Sequence, residues 1–125
     1  MNLFLDIGGE GRHSDAVNVN PRRYKTLGPG RGEPIPRLIV ARADAIPLAS
    51  GSVARIVVER TPLTRAALAE IARVIAPRGT IVLRHVPLER GDRHALARKL
   101  LGGHAARRTL CLAGQCVQET RIQVA

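Results

Sequence analysis

Three short stretches of this sequence carry residue types suited to holding a ligand. The first is Leu5-Asp6-Ile7-Gly8-Gly9-Glu10-Gly11, an acid near the end of an apolar run followed by a glycine turn. Glycines there let backbone approach a bound molecule closely, and free N–H groups beyond the turn can meet a carboxylate or phosphate. The second, Val17-Asn18-Val19-Asn20, ends in a carboxamide able to hydrogen-bond sugar hydroxyls. The third, Asp44-Ala45-Ile46-Pro47-Leu48, sets an acid directly after an apolar run, where it can accept from an exocyclic amine. Other chemistries lack their residues. There is no nucleophile elbow with Ser, His and Asp, and no spacing of metal ligands. The run Gly28-Pro29-Gly30-Arg31-Gly32 lacks the Gly-Lys-Ser/Thr ending of a triphosphate loop, so it reads as a solvated loop.

The elements that must position these stretches follow from hydropathy. Leu3–Ile7, Ala16–Asn20, Arg37–Ala41 and Val53–Val58 read as strands, the last nearly continuous in apolar residues, as a strand covered on both faces would be. Between the second and third, the Gly- and Pro-rich segment 22–36 excludes a stable helix and reads as a loop with some mobility. Thr61 with Pro62 predicts a helix start, and Leu68, Ile71, Ala72 and Ile75 follow at helical spacing until Pro77 and Gly79 end the run. A strand is expected over Thr80–Val86. Asp92 caps a short helix with a stripe of Leu96, Ala97, Leu100 and Leu101. Arg107–Leu112 and Val117–Val124 read as a closing hairpin. The implied fold is α/β: a Rossmann-like, mostly parallel seven-stranded sheet with an antiparallel C-terminal hairpin, flanked by helices, in one domain over 1–125. All three ligand stretches then fall at the C-terminal ends of parallel strands, where an open α/β sheet binds its ligand.

Composition narrows the function further. With 125 residues and 45% hydrophobic residues the chain can build a core. No apolar run approaches the roughly 20 residues of a membrane-spanning helix, and the N-terminus has no secretion signal, so a cytoplasmic protein is expected. The net charge is +10, and of 20 basic residues only Lys25 and Lys99 are lysine. Such a field favours acidic partners, but Phe4 and Tyr24 alone cannot form a base-stacking platform, so nucleic acid is a lesser expectation. Cys111 and Cys116 are expected to be reduced thiols. They face each other only if Ala113-Gly114 is the hairpin turn; a Gly114-Gln115 turn slips them out of register.

From Leu3 to about Val86 the sequence resembles the class I S-adenosylmethionine-dependent methyltransferases, in particular short forms with an abbreviated cofactor half. The resemblance rests on the three stretches above, on the extension through Ala49-Ser50-Gly51-Ser52-Val53, and on Glu70-Ile71-Ala72-Arg73-Val74-Ile75-Ala76-Pro77-Arg78-Gly79. It implies a seven-stranded sheet with one reversed strand and S-adenosylmethionine as cofactor. Asp6, Gly8, Gly9 and Gly11 would lie along the methionine portion, Asn20 at the ribose, and Asp44 with Ala45 at the adenine. Glu59, Arg60 and Thr61 would border the reacting methyl group. Glu59 is the first candidate base, with His13 and His85 after it. The sequence differs from the family in having Glu10 and Arg12 in the glycine turn, the neutral Asn20 where a carboxylate is usual, and no N-terminal covering helices.

Two functions of different class follow. One is methyl transfer to a small molecule or an anionic acceptor. The other is a non-catalytic module acting by association, a homodimer or a partner hiding apolar surface left by the missing helices. Binding of nucleic acid through an arginine-rich face is the minor alternative.

Overall fold

The computed structural model describes residues 3–87 and 91–125. Seven strands form one sheet in the order β3-β2-β1-β4-β5-β7-β6. They are β1 (Phe4–Ile7), β2 (Val17–Asn20), β3 (Leu38–Val40), β4 (Val53–Glu59), β5 (Ile75–His85), β6 (His104–Leu112) and β7 (Gln115–Gln123). Strands β1 to β5 pair in parallel, and β7 runs antiparallel to both β5 and β6. The connections from β1 through β2 to β3 step one way along the sheet, and β4 returns to the other side of β1. A crevice therefore opens beyond the C-terminal ends of β1 and β4, where the strand order reverses.

Two helices lie between the later strands, α1 (Arg65–Val74) and α2 (Arg93–Leu101). The expected start at Thr61-Pro62 is corrected to Thr64, whose hydroxyl accepts from Ala67 N at 3.1 Å. The reason is tertiary. Thr61 donates its own hydroxyl to Ile7 O at 3.2 Å, tying the chain after β4 to the end of β1. Leu63 and Leu68, just before the cap and in the first full turn, are both buried in the core, as in a hydrophobic staple. Strand β5 also begins earlier than expected, at Ile75 rather than Thr80, with a register shift opposite Val53–Arg55. Asp92 caps α2 as read from the sequence, accepting from Ala95 N at 3.0 Å. Of its predicted stripe only Ala97 is fully buried, while Leu100 stays exposed and the unpredicted His94 goes in.

Both helices cover the same side of the sheet. Leu5, Ile7, Val19, Ile56, Val58, Ile81, Leu83 and Ile122 point to that side and pack with Leu68, Ile71, Val74 and Ala97. Alternation sends Phe4, Asp6, Asn18, Val57, Val82 and Glu119 to the other side. Among the described residues no helix covers that second side. An exposed apolar surface was expected there. Instead Phe4, Val57 and Val82 are at most 9% exposed. The Arg55 guanidinium lies 4.2 Å from the Phe4 ring centre, its long stem shielding apolar surface while its charge meets water.

At the closing hairpin the expectation of free thiols is overturned: Cys111 and Cys116 are joined in a disulfide. Ala113 and Gly114 both take positive φ, 50° and 79°, so they form the two-residue turn and the register sets Cys111 opposite Cys116. Among the described residues no helix is long and apolar enough to cross a membrane, and no cluster of side chains is arranged to hold a metal ion.

Candidate functional site

A cleft of about 990 Å³ opens at the reversal of strand order. Its wall takes Gly8, Glu10, Gly11 and Arg12 from the turn after β1, Asn20 from the end of β2, Asp44 after β3, and Glu59 at the end of β4 with Arg60 and Thr61 beyond it. Four segments far apart in sequence thus meet at one rim. Parallel strands in register put their C-terminal ends at one edge of the sheet, so the juxtaposition is a product of topology. Segment 25–30 also lines the cleft. Of the residues expected to touch a ligand, Asp6, Gly9, Ala45, His13 and His85 do not reach this wall.

The turn after β1 is shaped by protein contacts first. Gly8 and Gly11 take φ of 77° and 110°, conformations that side chains disfavour. A Cβ on Gly8 would overlap the Thr61 hydroxyl, and one on Gly11 would come within 2.9 Å of Pro36 Cγ. Gly8 N bonds Val19 O at 2.7 Å and Gly9 N bonds Asp6 O at 3.2 Å. The next three amides, of Glu10, Gly11 and Arg12, donate to no group among the described residues. All three residues line the cleft, and successive amides without a partner among the described residues are the raw material of an anion-binding concavity.

Glu10, foreign to the usual glycine turn, has a structural explanation. Its carboxylate accepts from Thr26 N at 2.9 Å, Thr26 Oγ1 at 2.5 Å and Leu27 N at 3.2 Å. Burial raises its pKa, but these hydrogen bonds outweigh that and hold it below the ordinary value. Segment 22–36 is accordingly a pinned loop. Lys25 N bonds Glu33 O at 2.8 Å and Ile35 N bonds Arg23 O at 3.0 Å, folding it back on itself. The glutamate was visible in the sequence; its partner, sixteen residues away, was not.

Asn20 is 4% exposed and largely engaged. Its Nδ2 donates to Gly9 O at 3.2 Å and Gly8 O at 3.4 Å, and its Oδ1 accepts from Arg22 N at 2.9 Å. A carboxamide is required here, since a carboxylate would face two carbonyls without a proton. One lone pair of Oδ1 remains for a ligand hydroxyl. Asp44 meets Arg42 through two hydrogen bonds, at 3.1 and 3.3 Å, which leaves acceptor positions toward the cleft. The loop carrying Asp44 is fixed to α1. Glu70 accepts from Ile46 N at 2.8 Å, and Arg73 donates to Ile46 O at 2.7 Å and Leu48 O at 2.8 Å. These two positioning residues lay inside the motif read from the sequence, without a sign of what they hold.

The three candidate bases are tied into the fold. Glu59 accepts from His13 Nε2 at 2.7 Å, and it pairs with Arg12 and Arg84 at 3.4 Å each. Burial alone would raise its pKa; the His13 hydrogen bond and the two guanidinium charges reverse that and leave it lowered. A carboxylate so held is a weak proton acceptor. His85 Nε2 sits 2.7 Å from Thr61 O, which makes it the donor, so Nδ1 accepts from His94 Nε2 at 2.8 Å. His94 Nδ1 is in turn 2.8 Å from the Thr120 hydroxyl. The chain is fully satisfied with both rings neutral. Burial lowers both pKa values, that of His94 to about 4. His85 therefore braces the Thr61 corner of the cleft from behind.

Asp6 lies beneath the turn rather than in the cleft. It is fully buried, and neither of its oxygens, nor Asn18 Oδ1 beside it, has a hydrogen-bond partner among the described residues. Burial pushes its pKa up to about 6 against the pull of Arg12 and His13. A Gly9 Cβ would overlap both side chains, so Gly9 is the lid of this buried pocket of acceptors.

The whole chain superimposes on solved methyltransferases. It covers 100% of its length and 83% of a S-adenosylmethionine-dependent methyltransferase, possible histamine N-methyltransferase, from Thermotoga maritima, with a TM-score of 0.72 and 16% identity. For the 16S rRNA (adenine(1408)-N(1))-methyltransferase W203A mutant of Catenulisporales acidiphilia the coverage is 99% and 85%, the TM-score 0.66 and the identity 15%. For the antibiotic-resistance methyltransferase Kmr the coverage is 98% and 86%, the TM-score 0.65 and the identity 15%. This is a class I methyltransferase fold. No protein-family profile and no curated protein matches the sequence. In this methyltransferase fold the reversed strand is β7. The cleft lies at the end of β1, where the sequence resemblance had put Gly8 and Gly11.

Proposed function

We propose that the protein is a S-adenosylmethionine-dependent methyltransferase whose cleft holds the cofactor and an anionic or small-molecule acceptor. The observation that carries this reading is the row of amides at Glu10, Gly11 and Arg12 with no partner among the described residues, beside Asn20 and Asp44 in one cleft. The cleft volume is within the range of small-molecule sites, roughly 300–1,000 Å³. The amides fit a methionine carboxylate, the spare lone pair of Asn20 a ribose hydroxyl, and Asp44 an adenine amine. Structural neighbours with this fold include one described with cosubstrate S-adenosylmethionine, which supports the reading.

The cofactor's sulfonium supplies an activated methyl group, so alignment of the acceptor carries much of the rate. Arg12, Arg22, Arg42, Arg60 and Lys25 on the wall outnumber Glu10, Asp44 and Glu59 and favour an acceptor with negative charge. Thr61, held by Ile7 O and His85, keeps the corner after β4 in place. Because Glu59 is ion-paired, acceptors that need no deprotonation are the better fit. Glu59 would act by fixing Arg12 and Arg84.

Calorimetry with S-adenosylhomocysteine tests the site. Binding in the micromolar range is expected, weakened about tenfold by Asp44→Ala, the worth of one charge-assisted hydrogen bond of about 1.5 kcal/mol. Absence of binding at millimolar ligand would overturn the proposal.

A further inference from the structure

The side of the sheet away from the helices carries a second, unassigned feature. From the cleft rim outward an ion-pair ladder crosses four strands. Arg12 meets Glu59 on β4, Glu59 meets Arg84 on β5, Arg84 meets Glu119 on β7, and Glu119 also takes Arg108 of β6 and Arg121 of β7. Glu119 is only 1% exposed, and all three arginines bond it through Nε, at 2.7, 2.9 and 3.0 Å. Each guanidinium has five N–H donors. Arg108 and Arg121 use no other donor among the described residues, and their side chains are 59% and 52% exposed. Their terminal Nη groups therefore stand outward, prealigned by a buried carboxylate. Arg55, across the Phe4 ring, adds a charge with no acidic partner among the described residues.

We propose that this helix-free face binds the phosphate backbone of a nucleic acid. Five guanidinia stand against three carboxylates there, Glu59, Glu119 and the buried Asp6, so the face has net positive charge even with every ion pair made. A planar fork with two free Nη groups matches a phosphate bidentately. A second copy of the chain would present the same charges and be repelled. A membrane surface would want apolar anchors, and Phe4, Val57 and Val82 are already covered. From β4 to β6 the ladder spans three strand spacings, about 14 Å, enough for several consecutive phosphates of one strand. Because Phe4 and Tyr24 are the protein's whole aromatic complement and Tyr24 is bridged to Pro34 within segment 22–36, contact is to the backbone and carries no sequence preference. Arg12 and Glu59 also line the cleft, so a strand lying on this face leads to the rim of the proposed active site.

The test is fluorescence anisotropy with a labelled twelve-nucleotide oligouridylate, titrated with the intact chain between 50 and 300 mM NaCl. With about three phosphates neutralised, log Kobs should fall against log salt with a slope near −2. Arg55→Gln with Arg121→Gln leaves Glu119 paired with Arg84 and Arg108, and circular dichroism checks the fold. This double variant should bind at least tenfold more weakly at 50 mM, with a slope shallower by about 1.4. Arg93→Gln with Arg98→Gln removes equal charge from α2 on the opposite side and should change affinity less than twofold. Equal weakening by both pairs would mean that net charge rather than this face is responsible, and would overturn the proposal. So would the lack of any salt-sensitive binding at 50 mM, or binding to phosphatidylserine vesicles without binding to the oligonucleotide. Titration of the same variants with S-adenosylhomocysteine separates this result from the cofactor reading: the docking face stands or falls whether or not that ligand binds.

Discussion

Replacing Asp6 by asparagine should make the protein more stable at neutral pH and leave it unchanged in acid. Asp6 is fully buried with both oxygens unpartnered among the described residues, and burial raises its pKa from 3.8 to about 6. An acid with a raised folded pKa binds more protons folded than unfolded between those values, so stability falls as pH climbs through that window. About two units at 1.36 kcal/mol each amount to roughly 3 kcal/mol withheld from the native state above pH 6. Asparagine has nearly the same shape, carries no charge and can donate to the neighbouring Asn18 Oδ1. Chemical unfolding of both proteins, followed by circular dichroism from pH 4 to pH 8, measures the difference. Other carboxylates with lowered pKa, such as Glu70 and Glu119, pull stability the opposite way but do so equally in the two proteins. The variant should match the parent near pH 4, diverge through pH 6, and gain about 2–3 kcal/mol by pH 8. A flat difference curve, or an asparagine variant less stable at pH 8, would refute the reasoning, because it would mean that the ionised carboxylate has a partner in the native state.

Two further outcomes follow from the same contacts. Glu10→Ala removes the three hydrogen bonds that pin segment 22–36; limited proteolysis within that segment should quicken severalfold, with a stability loss of about 1–2 kcal/mol in urea unfolding. Reduction of Cys111–Cys116 should add two alkylatable thiols by mass spectrometry and cost no more than about 2 kcal/mol, since the bridge closes only a short loop.

Much of the architecture was legible in the chain. Short apolar runs bounded by turn residues located seven strands, Asp92 marked its helix, and Asp6-Ile7-Gly8 with Asp44 pointed to the end of the sheet where the cleft lies. Where the reading slipped, a long-range contact had won. Thr61 lost the helix cap because Ile7 O, fifty-four residues earlier, claims its hydroxyl. His85 and Glu59 looked like bases because isolated titratable residues have no visible partners in a linear string. Folding supplied Thr61 and His94 to one and Arg12, His13 and Arg84 to the other.

The sequence by itself determined the kind and order of the strands and helices, since local periodicity and capping chemistry are properties of neighbours along the chain; the start of α1 and of β5 was decided in three dimensions. It also determined that the candidate ligand residues sit at strand ends. Which amides stay unpaired, which carboxylates are spent on arginines, and that both helices choose one side of the sheet were decided only in three dimensions. Strand order and register bring Arg84, Arg108, Arg121 and Glu119 together from positions up to thirty-seven residues apart. Electrostatics acts across that space without regard to the path of the chain.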